Sequence, residues 1–262
     1  MHVRTTPPRA PWPFAVAGAL AVLYVAVPVL ALATRVPWTG LGTVLSQETT
    51  HDLLRITLTS AAISALLATF FGTGLAIWLH GQNRIGQAVR LLVYLPLAMP
   101  PVVGGLALSA ALGRRGLLAP LLDALQLNFA FAFAGVVVAQ TFVALPFVVV
   151  AVDSALRQTD HEVALSARRV GMTRGAIWRK VMLPTIAPAI FTGGALAFAR
   201  SLGEFGTTIT FAGSMPGLTR TMSSGIYLER EVSADNAYAL SAILIGLAVV
   251  CLACAGIPSL LH

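Results

Sequence analysis

Long apolar segments constrain the fold of this chain more than any other feature. A helix needs about 20 mostly apolar residues to cross a bilayer, and six segments reach that length. They cover roughly residues 14–34, 53–79, 88–112, 129–152, 186–212 and 237–260. These runs are longer than barrel strands and lack the alternation typical of them. The sequence therefore predicts an all-α integral membrane protein in which residues 1–262 form one domain of six transmembrane helices.

The composition excludes an ordinary soluble domain. Hydrophobic residues make up 57% of the chain, charged residues 10%, and the mean hydropathy is +0.83. A soluble domain has about 25% charged residues. The membrane assignment therefore does not depend on any single segment.

The first apolar segment has two interpretations. Arg4 and Arg9 precede it, and Ala31-Leu32-Ala33 resembles a signal-peptide cleavage site. Its apolar run is longer than the roughly 7–15 residues of a signal-peptide core. We expect a retained helix that anchors the chain, with a cleaved signal peptide as the alternative.

Basic residues are distributed unequally between the predicted loops. If the loop between helices four and five is cytoplasmic, ten of the 17 Lys and Arg residues face the cytoplasm: Arg4, Arg9, Arg84, Arg90, Arg157, Arg168, Arg169, Arg174, Arg179 and Lys180. Six face outward: Arg35, Arg55, Arg114, Arg115, Arg220 and Arg230. An excess of basic residues inside predicts that both termini are cytoplasmic. Membrane topology and attraction to anionic lipids account for the excess of basic residues, so we expect no nucleic-acid partner.

Motifs for catalysis and metal binding are missing from the sequence. Cys251 and Cys254 lie inside an apolar segment, and the five histidines have no metal-binding spacing. Lys180, the single lysine, is not part of a phosphate-binding loop, and no G-x-S-x-G motif occurs. We expect no catalytic residue, metal or cofactor on this chain. If the protein uses energy from a nucleotide, a partner must supply it.

A charged segment, residues 158–184, separates the fourth and fifth apolar segments; we call it the insert. Thr159 and Glu162 form a capping box, which predicts a helix from about residue 160. Gly171 is then a turn, and Thr173 caps a second helix that ends at Pro184. The apolar face of the second helix consists of Ile177, Trp178, Val181 and Met182. A basic loop that only sets the topology is the alternative.

The insert resembles the cytoplasmic motif of ABC importer permeases, E-A-A, three residues, G, nine residues, I-x-L-P. Gly171 is followed at matching offsets by Val181, Leu183 and Pro184. The start of the motif differs from the family pattern, because Leu165 and Ser166 stand where the family has Glu and Ala. Glu162 lies three residues before the position of the family's Glu. The resemblance implies that this coupling helix docks on a separate ATPase subunit, which binds ATP and Mg. The implied contacts are Glu162, Val163, Ala164, Leu165, Ser166, Ala167, Arg168, Arg169, Val170, Gly171 and Met172.

Three further segments resemble the molybdate permeases: residues 95–104, 198–211 and 215–221. The last resembles P-G-E-T-R-T, with Leu218 in place of Glu. The resemblance implies a homodimer that imports a tetrahedral oxyanion by alternating access, with two ATPase subunits and an extracytoplasmic binding protein. Sulfate and tungstate permeases are close relatives, so the sequence leaves the choice of oxyanion open.

Several polar residues and prolines fall within the apolar segments. Arg200 and Glu204 are four residues apart, so they can pair on one helix face, either to lock the bundle or to line the pathway. Thr207, Thr208 and Thr210 are expected to bond back to helix carbonyls, with contact to a passing oxyanion as the alternative. Pro100 and Pro101 predict a kink that serves packing or gating.

Three rival functions have less support in the sequence. A non-transporting scaffold would explain the insert but not the resemblance to permeases. An ion-driven carrier needs more intramembrane ionisable residues than one neutral pair. An intramembrane enzyme needs a nucleophile or metal set, which the apolar segments lack.

Overall fold

The computed structural model describes residues 11–82, 84–159, 169 and 171–260, with side chains omitted at 252 and 254–260. Throughout these residues the regular structure is helical, without strands. The helices are α1 (Trp12–Arg35), α2 (Leu41–Leu45), α3 (Glu48–His80), α4 (Arg84–Ala98), α5 (Pro101–Leu112), α6 (Ala119–Ala124), α7 (Phe133–Gln158), α8 (Arg174–Leu202), α9 (Gly206–Phe211), α10 (Met222–Val232) and α11 (Ala234–Leu260). Five of them, α1, α3, α7, α8 and α11, are long and apolar enough to cross a membrane. The all-helical membrane class is confirmed.

The third predicted segment, residues 88–112, is divided between α4 and α5. The division lies at Met99 and Pro100, where Pro100 has an extended backbone with ψ 137°. A residue that precedes proline is disfavoured in the helical region, and Pro100 precedes Pro101. Consecutive prolines therefore end one helix and begin the next, instead of kinking a single helix.

The fifth predicted segment, residues 186–212, is also divided. Helix α8 starts earlier, at Arg174, and ends at Leu202, and the short helix α9 follows. Phe205, between them, has φ −130° and ψ −60°, which is not helical. The break places Glu204 outside both helices.

Pro184 does not end the second helix of the insert as predicted. Residues Trp178–Met182 form a π-helical turn, and the Leu183 N–H donates to the carbonyl of Trp178. A π turn shifts the hydrogen-bond pattern by one residue, and Pro184 then lies in the first turn of the next α-helical stretch, where its missing N–H is tolerated. The insert therefore continues into the transmembrane helix without a stop.

Helices α3, α7 and α8 form the central core. Small residues allow their close approach: a Cβ on Gly72 of α3 would lie 2.9 Å from the Val148 Cβ on α7, and one on Gly194 of α8 would lie 2.8 Å from the Thr69 Oγ1 on α3. Such contacts are typical of helices packed in membranes. In contrast, α1 has no buried residue, so its apolar side chains are available to lipid or to another chain.

Candidate functional site

The break between α8 and α9 holds the ion pair that the sequence predicts. Arg200 Nη1 lies 2.5 Å from Glu204 Oε2, and the Glu204 side chain is 1% exposed. The second carboxylate oxygen, Oε1, accepts a hydrogen bond from the Thr207 backbone N–H at 2.7 Å. Glu204 therefore neutralises the charge of Arg200 and also accepts a hydrogen bond from a backbone amide that has no partner within α9.

Arg200 is more accessible than its partner, with its side chain 30% exposed. Both Glu204 oxygens are engaged, one with Arg200 and one with the Thr207 amide. The two residues therefore differ in accessibility, and the partly exposed Arg200 side chain is the part of the pair that solutes can reach.

The three threonines near the break behave differently from one another. Thr210 Oγ1 donates to the Gly206 carbonyl at 2.7 Å, as back-bonding predicts. Thr207 Oγ1 instead donates to the Pro101 carbonyl at 3.1 Å, so back-bonding is the wrong prediction there. The Thr208 hydroxyl is buried and has no hydrogen-bond partner within the described residues.

Helices α5 and α9 lie in close contact, and their first residues, Pro101 and Gly206, adjoin each other. A Cβ on Gly206 would lie 2.6 Å from the Pro101 Cβ, and a Cβ on Gly105 would lie 2.6 Å from the Thr210 Cβ. With the Thr207 to Pro101 hydrogen bond, these contacts tie the two helices together. The two helix breaks, at Pro100 and at residues 203–205, therefore adjoin each other.

A buried polar chain that the sequence analysis missed crosses the core. Ser64 of α3 donates to Gln140 Oε1 at 3.2 Å, and Gln140 Nε2 donates to the Ser201 carbonyl at 3.2 Å. All three residues have a relative exposure of 0%. A glutamine inside the apolar segment 129–152 was the available signal, since an intramembrane amide needs partners.

Most of the predicted ATPase contacts, Glu162–Arg168 and Val170, lie outside the described residues. The predicted capping box at Thr159 and Glu162 is therefore not described in full. Arg169 is helical and exposed. Gly171 has φ +83°, the left-handed conformation of a helix-ending glycine, as predicted.

The second half of the insert rests on the helix bundle. The Thr173 hydroxyl accepts a hydrogen bond from the Ala176 N–H at 3.3 Å, which confirms the predicted cap. The predicted apolar face packs in the central cluster beside Leu79 and Leu156. The residues of this face are Ile177, Trp178, Val181 and Met182. Met172 packs against the same cluster. Arg174, Arg179 and Lys180 are exposed.

A second ion-pair group joins the helix ends beside the insert. Asp153 of α7, whose side chain is 4% exposed, contacts both Arg90 and Arg157. The sequence analysis placed Arg90 and Arg157 on the cytoplasmic side but did not predict that Asp153 joins them. Groups of at least three His, Cys, Asp or Glu residues that could hold a metal are not found among the described residues.

The chain is similar in sequence to a family of membrane transport proteins. Residues 68–257 match the family described as the binding-protein-dependent transport system inner membrane component. The molybdenum transport system permease protein ModB of Mycobacterium tuberculosis is 41% identical over 246 residues, 94% of this chain and 92% of that protein. The ModB protein of Escherichia coli is 38% identical over 66% of this chain and 76% of its own length.

A bacterial alginate ABC transporter, solved with a periplasmic protein bound to an alginate pentasaccharide, has a chain with a similar fold. Its TM-score is 0.75 at 18% identity, covering 94% of this chain and 92% of that one. A chain of the MetNI methionine ABC transporter has a TM-score of 0.61 at 18% identity, covering 80% of this chain and 95% of that one. The two structures show the same fold, and the family match together with the 41% identity to the mycobacterial protein shows that the chain belongs to the family of inner membrane components of binding-protein-dependent transport systems.

Proposed function

We propose that this chain is the membrane-spanning permease subunit of an ATP-driven importer of molybdate. The observation that carries the proposal is the 41% identity to the Mycobacterium tuberculosis molybdenum permease across 94% of this chain. A similarity of this extent includes the segments around both helix breaks. It supports the same class of cargo, a tetrahedral oxyanion.

The proposed assembly contains two copies of this chain and two ATP-binding subunits, with an extracytoplasmic protein that delivers the anion. ATP and Mg bind the ATPase subunits. Closure of the ATPase pair moves the inserts together, and the helix bundles turn from an inward-facing to an outward-facing state. The ATPase contact is assigned to residues 162–172, of which Arg169, Gly171 and Met172 are described.

Both termini are proposed to face the cytoplasm, in a multi-pass protein of the inner membrane in which α4 and α5 together make a sixth crossing. Two groups of charged residues support this topology. Arg90 and Arg157, both predicted inside, contact the same residue, Asp153. Arg220, predicted outside, lines one pocket with Asp52 and Glu229. Such grouping is expected when each set occupies one membrane face.

Sulfate is the second candidate cargo. The sulfate transport system permease protein CysT of Salmonella typhimurium is 30% identical over 76% of this chain and 72% of its own length. Lower identity and lower coverage favour molybdate over sulfate. Tungstate has the same tetrahedral shape and charge as molybdate and belongs in the same test.

The test is uptake into vesicles that contain this chain with its ATPase subunit, supplied with the binding protein. Radiolabelled molybdate should accumulate with ATP and not with ADP. Excess unlabelled sulfate should leave uptake unchanged, while excess molybdate should abolish it. Tungstate competition distinguishes a molybdate importer from one that accepts both metal oxyanions.

Other results would contradict the proposal in separate ways. Uptake without ATP under an ion gradient would indicate an ion-driven carrier. Accumulation of sulfate in preference to molybdate would change the cargo but keep the permease function. Failure to import any oxyanion, although the ATPase subunit remains bound, would indicate a scaffold.

A further inference from the structure

Arg90 joins α4 to the ends of two other helices. It lies on α4, and its Nη2 donates to the Leu79 carbonyl of α3 at 2.9 Å. Its Nε and Nη2 also contact the two oxygens of Asp153 on α7, at 3.2 and 3.1 Å. A two-point contact between guanidinium and carboxylate fixes orientation as well as distance. The side chains of Arg90 and Asp153 are only 14% and 4% exposed, so water competes little for the contact.

The described half of the insert rests on the same two helix ends and on α4. Ile177 belongs to the buried cluster that contains Leu79 and Leu156, and Met172 packs against that cluster. Val93 of α4 packs against it too. The start of α8, the ends of α3 and α7, and α4 therefore form one contiguous body.

Helix α5 packs against a different part of the bundle, formed by α9 and the first half of α7. The break at Pro100 separates it from α4, and Thr207 of α9 donates to the Pro101 carbonyl. Leu108 of α5 and Phe211 of α9 also share a buried cluster with Ala139 of α7. A displacement of α4 relative to α5 would consequently be absorbed at Met99 and Pro100, where helical hydrogen bonding is interrupted.

We propose that Arg90 is a positioning residue that makes α4 follow the insert when the ATPase subunits move. The ion pair with Asp153 transmits the movement because a two-point contact sheltered from water fixes the orientation of α4 relative to α7. The inference rests on the proposed function as an ATP-driven permease. It adds a specific connection between ATP hydrolysis and the proline break.

Arg157 provides the matched control within the same group. It contacts the same Asp153, with 2.9 Å between Nε and Oδ2, but both residues lie on α7. Its side chain is 58% exposed. Arg157 can therefore compensate the Asp153 charge, yet it cannot hold α4 to another helix.

The experiment compares Arg90→Gln, Arg90→Lys and Arg157→Gln with the unsubstituted chain in the full transporter. Three quantities are measured in vesicles: ATPase subunit retained, ATP hydrolysed, and molybdate imported. We expect Arg90→Gln to retain the ATPase subunit and hydrolyse ATP while importing about tenfold less molybdate per ATP. Arg90→Lys should recover part of this loss, since it restores the charge without the two-point geometry. Arg157→Gln should have a ratio close to that of the unsubstituted chain.

A charge exchange, Arg90→Asp with Asp153→Arg, keeps the test decisive if Arg90→Gln does not assemble. We expect the exchange to raise import per ATP above that of Asp153→Arg alone. An unchanged ratio in Arg90→Gln overturns the inference, and so does a loss of import that only parallels the loss of bound ATPase subunit. An exchange variant that assembles without recovering the ratio overturns it as well. If the unsubstituted chain imports no oxyanion, the proposed function fails instead, which is a separate result.

Discussion

Glu204 accepts a hydrogen bond from the backbone N–H of Thr207, with 2.7 Å between Oε1 and N. This contact spans the break between α8 and α9, and the other carboxylate oxygen pairs with Arg200. A free amide at a helix start and a buried carboxylate would each be costly alone. Their contact makes an interrupted helix stable inside the apolar bundle.

Substitutions at Glu204 should separate its two contacts. Glu204→Gln keeps an acceptor for the Thr207 N–H, whereas Glu204→Ala removes both contacts. We expect Glu204→Ala to lower the free energy of unfolding by about 1–3 kcal/mol, and Glu204→Gln to have a smaller effect. Denaturant titration of the purified chain in micelles measures the difference. The control is Glu231→Gln, at an exposed position of α10. Equal losses in Glu204→Gln and Glu204→Ala would show that the amide contact contributes nothing.

Two glycines of α3 test how closely this helix packs against α7. A Cβ on Gly72 would lie 2.9 Å from the Val148 Cβ, but a Cβ on Gly74 would have no atom within 4 Å. Gly72→Ala should therefore lower the free energy of unfolding by about 1–3 kcal/mol through overpacking. Gly74→Ala should be neutral or stabilising, because alanine favours the helix. The same titration measures both variants, and equal behaviour would contradict the close approach of α3 and α7.

The chain of hydrogen bonds through Gln140 should be energetically coupled. Gln140→Leu removes the bonds to Ser64 and to the Ser201 carbonyl, and we expect a loss of about 0.5–2 kcal/mol in the free energy of unfolding. Ser64→Ala alone should cost less, since the Ser64 hydroxyl already shares its hydrogen between Val137 and Gln140. The double variant then measures the coupling. Strictly additive losses would mean that the Ser64 to Gln140 contact contributes no stability.

Apolar run length identified the membrane helices but not where they are interrupted. Hydropathy is averaged over a window of residues, so residues 88–112 and 186–212 were each predicted to form one helix. The interruptions depend on particular backbone positions: Pro100 lies before another proline, and Phe205 has a non-helical backbone. The proline pair was visible in the sequence. The second break lies where α9 packs against α5 and Thr207 donates to the Pro101 carbonyl, and no local pattern specifies that contact.

Side-chain pairing was predictable only between residues close in sequence. Arg200 and Glu204 are four residues apart, so helix spacing predicted their pairing, which the structure retains although the helix ends at Leu202. Arg90 and Asp153 are 63 residues apart, and their contact depends on how α4 packs against α7. The hydrogen bond from Thr207 to Pro101, 106 residues away, likewise overrides the local preference for back-bonding. Tertiary packing therefore decides the site contacts that local spacing leaves open.

The turn at Gly171 should be sensitive to backbone conformation and insensitive to side-chain size. Gly171 has φ +83°, and a Cβ there would have no atom within 4 Å. Valine is strained in the left-handed region, whereas asparagine tolerates it. We therefore expect Gly171→Val to weaken binding of the ATPase subunit by about tenfold, and Gly171→Asn to retain most of it. Co-purification of the ATPase subunit at several concentrations measures the affinity, and membrane insertion should be unchanged in both. Equal affinity of the two variants would mean that the turn conformation does not control docking, and the ATPase contact would then have to lie elsewhere on the cytoplasmic surface.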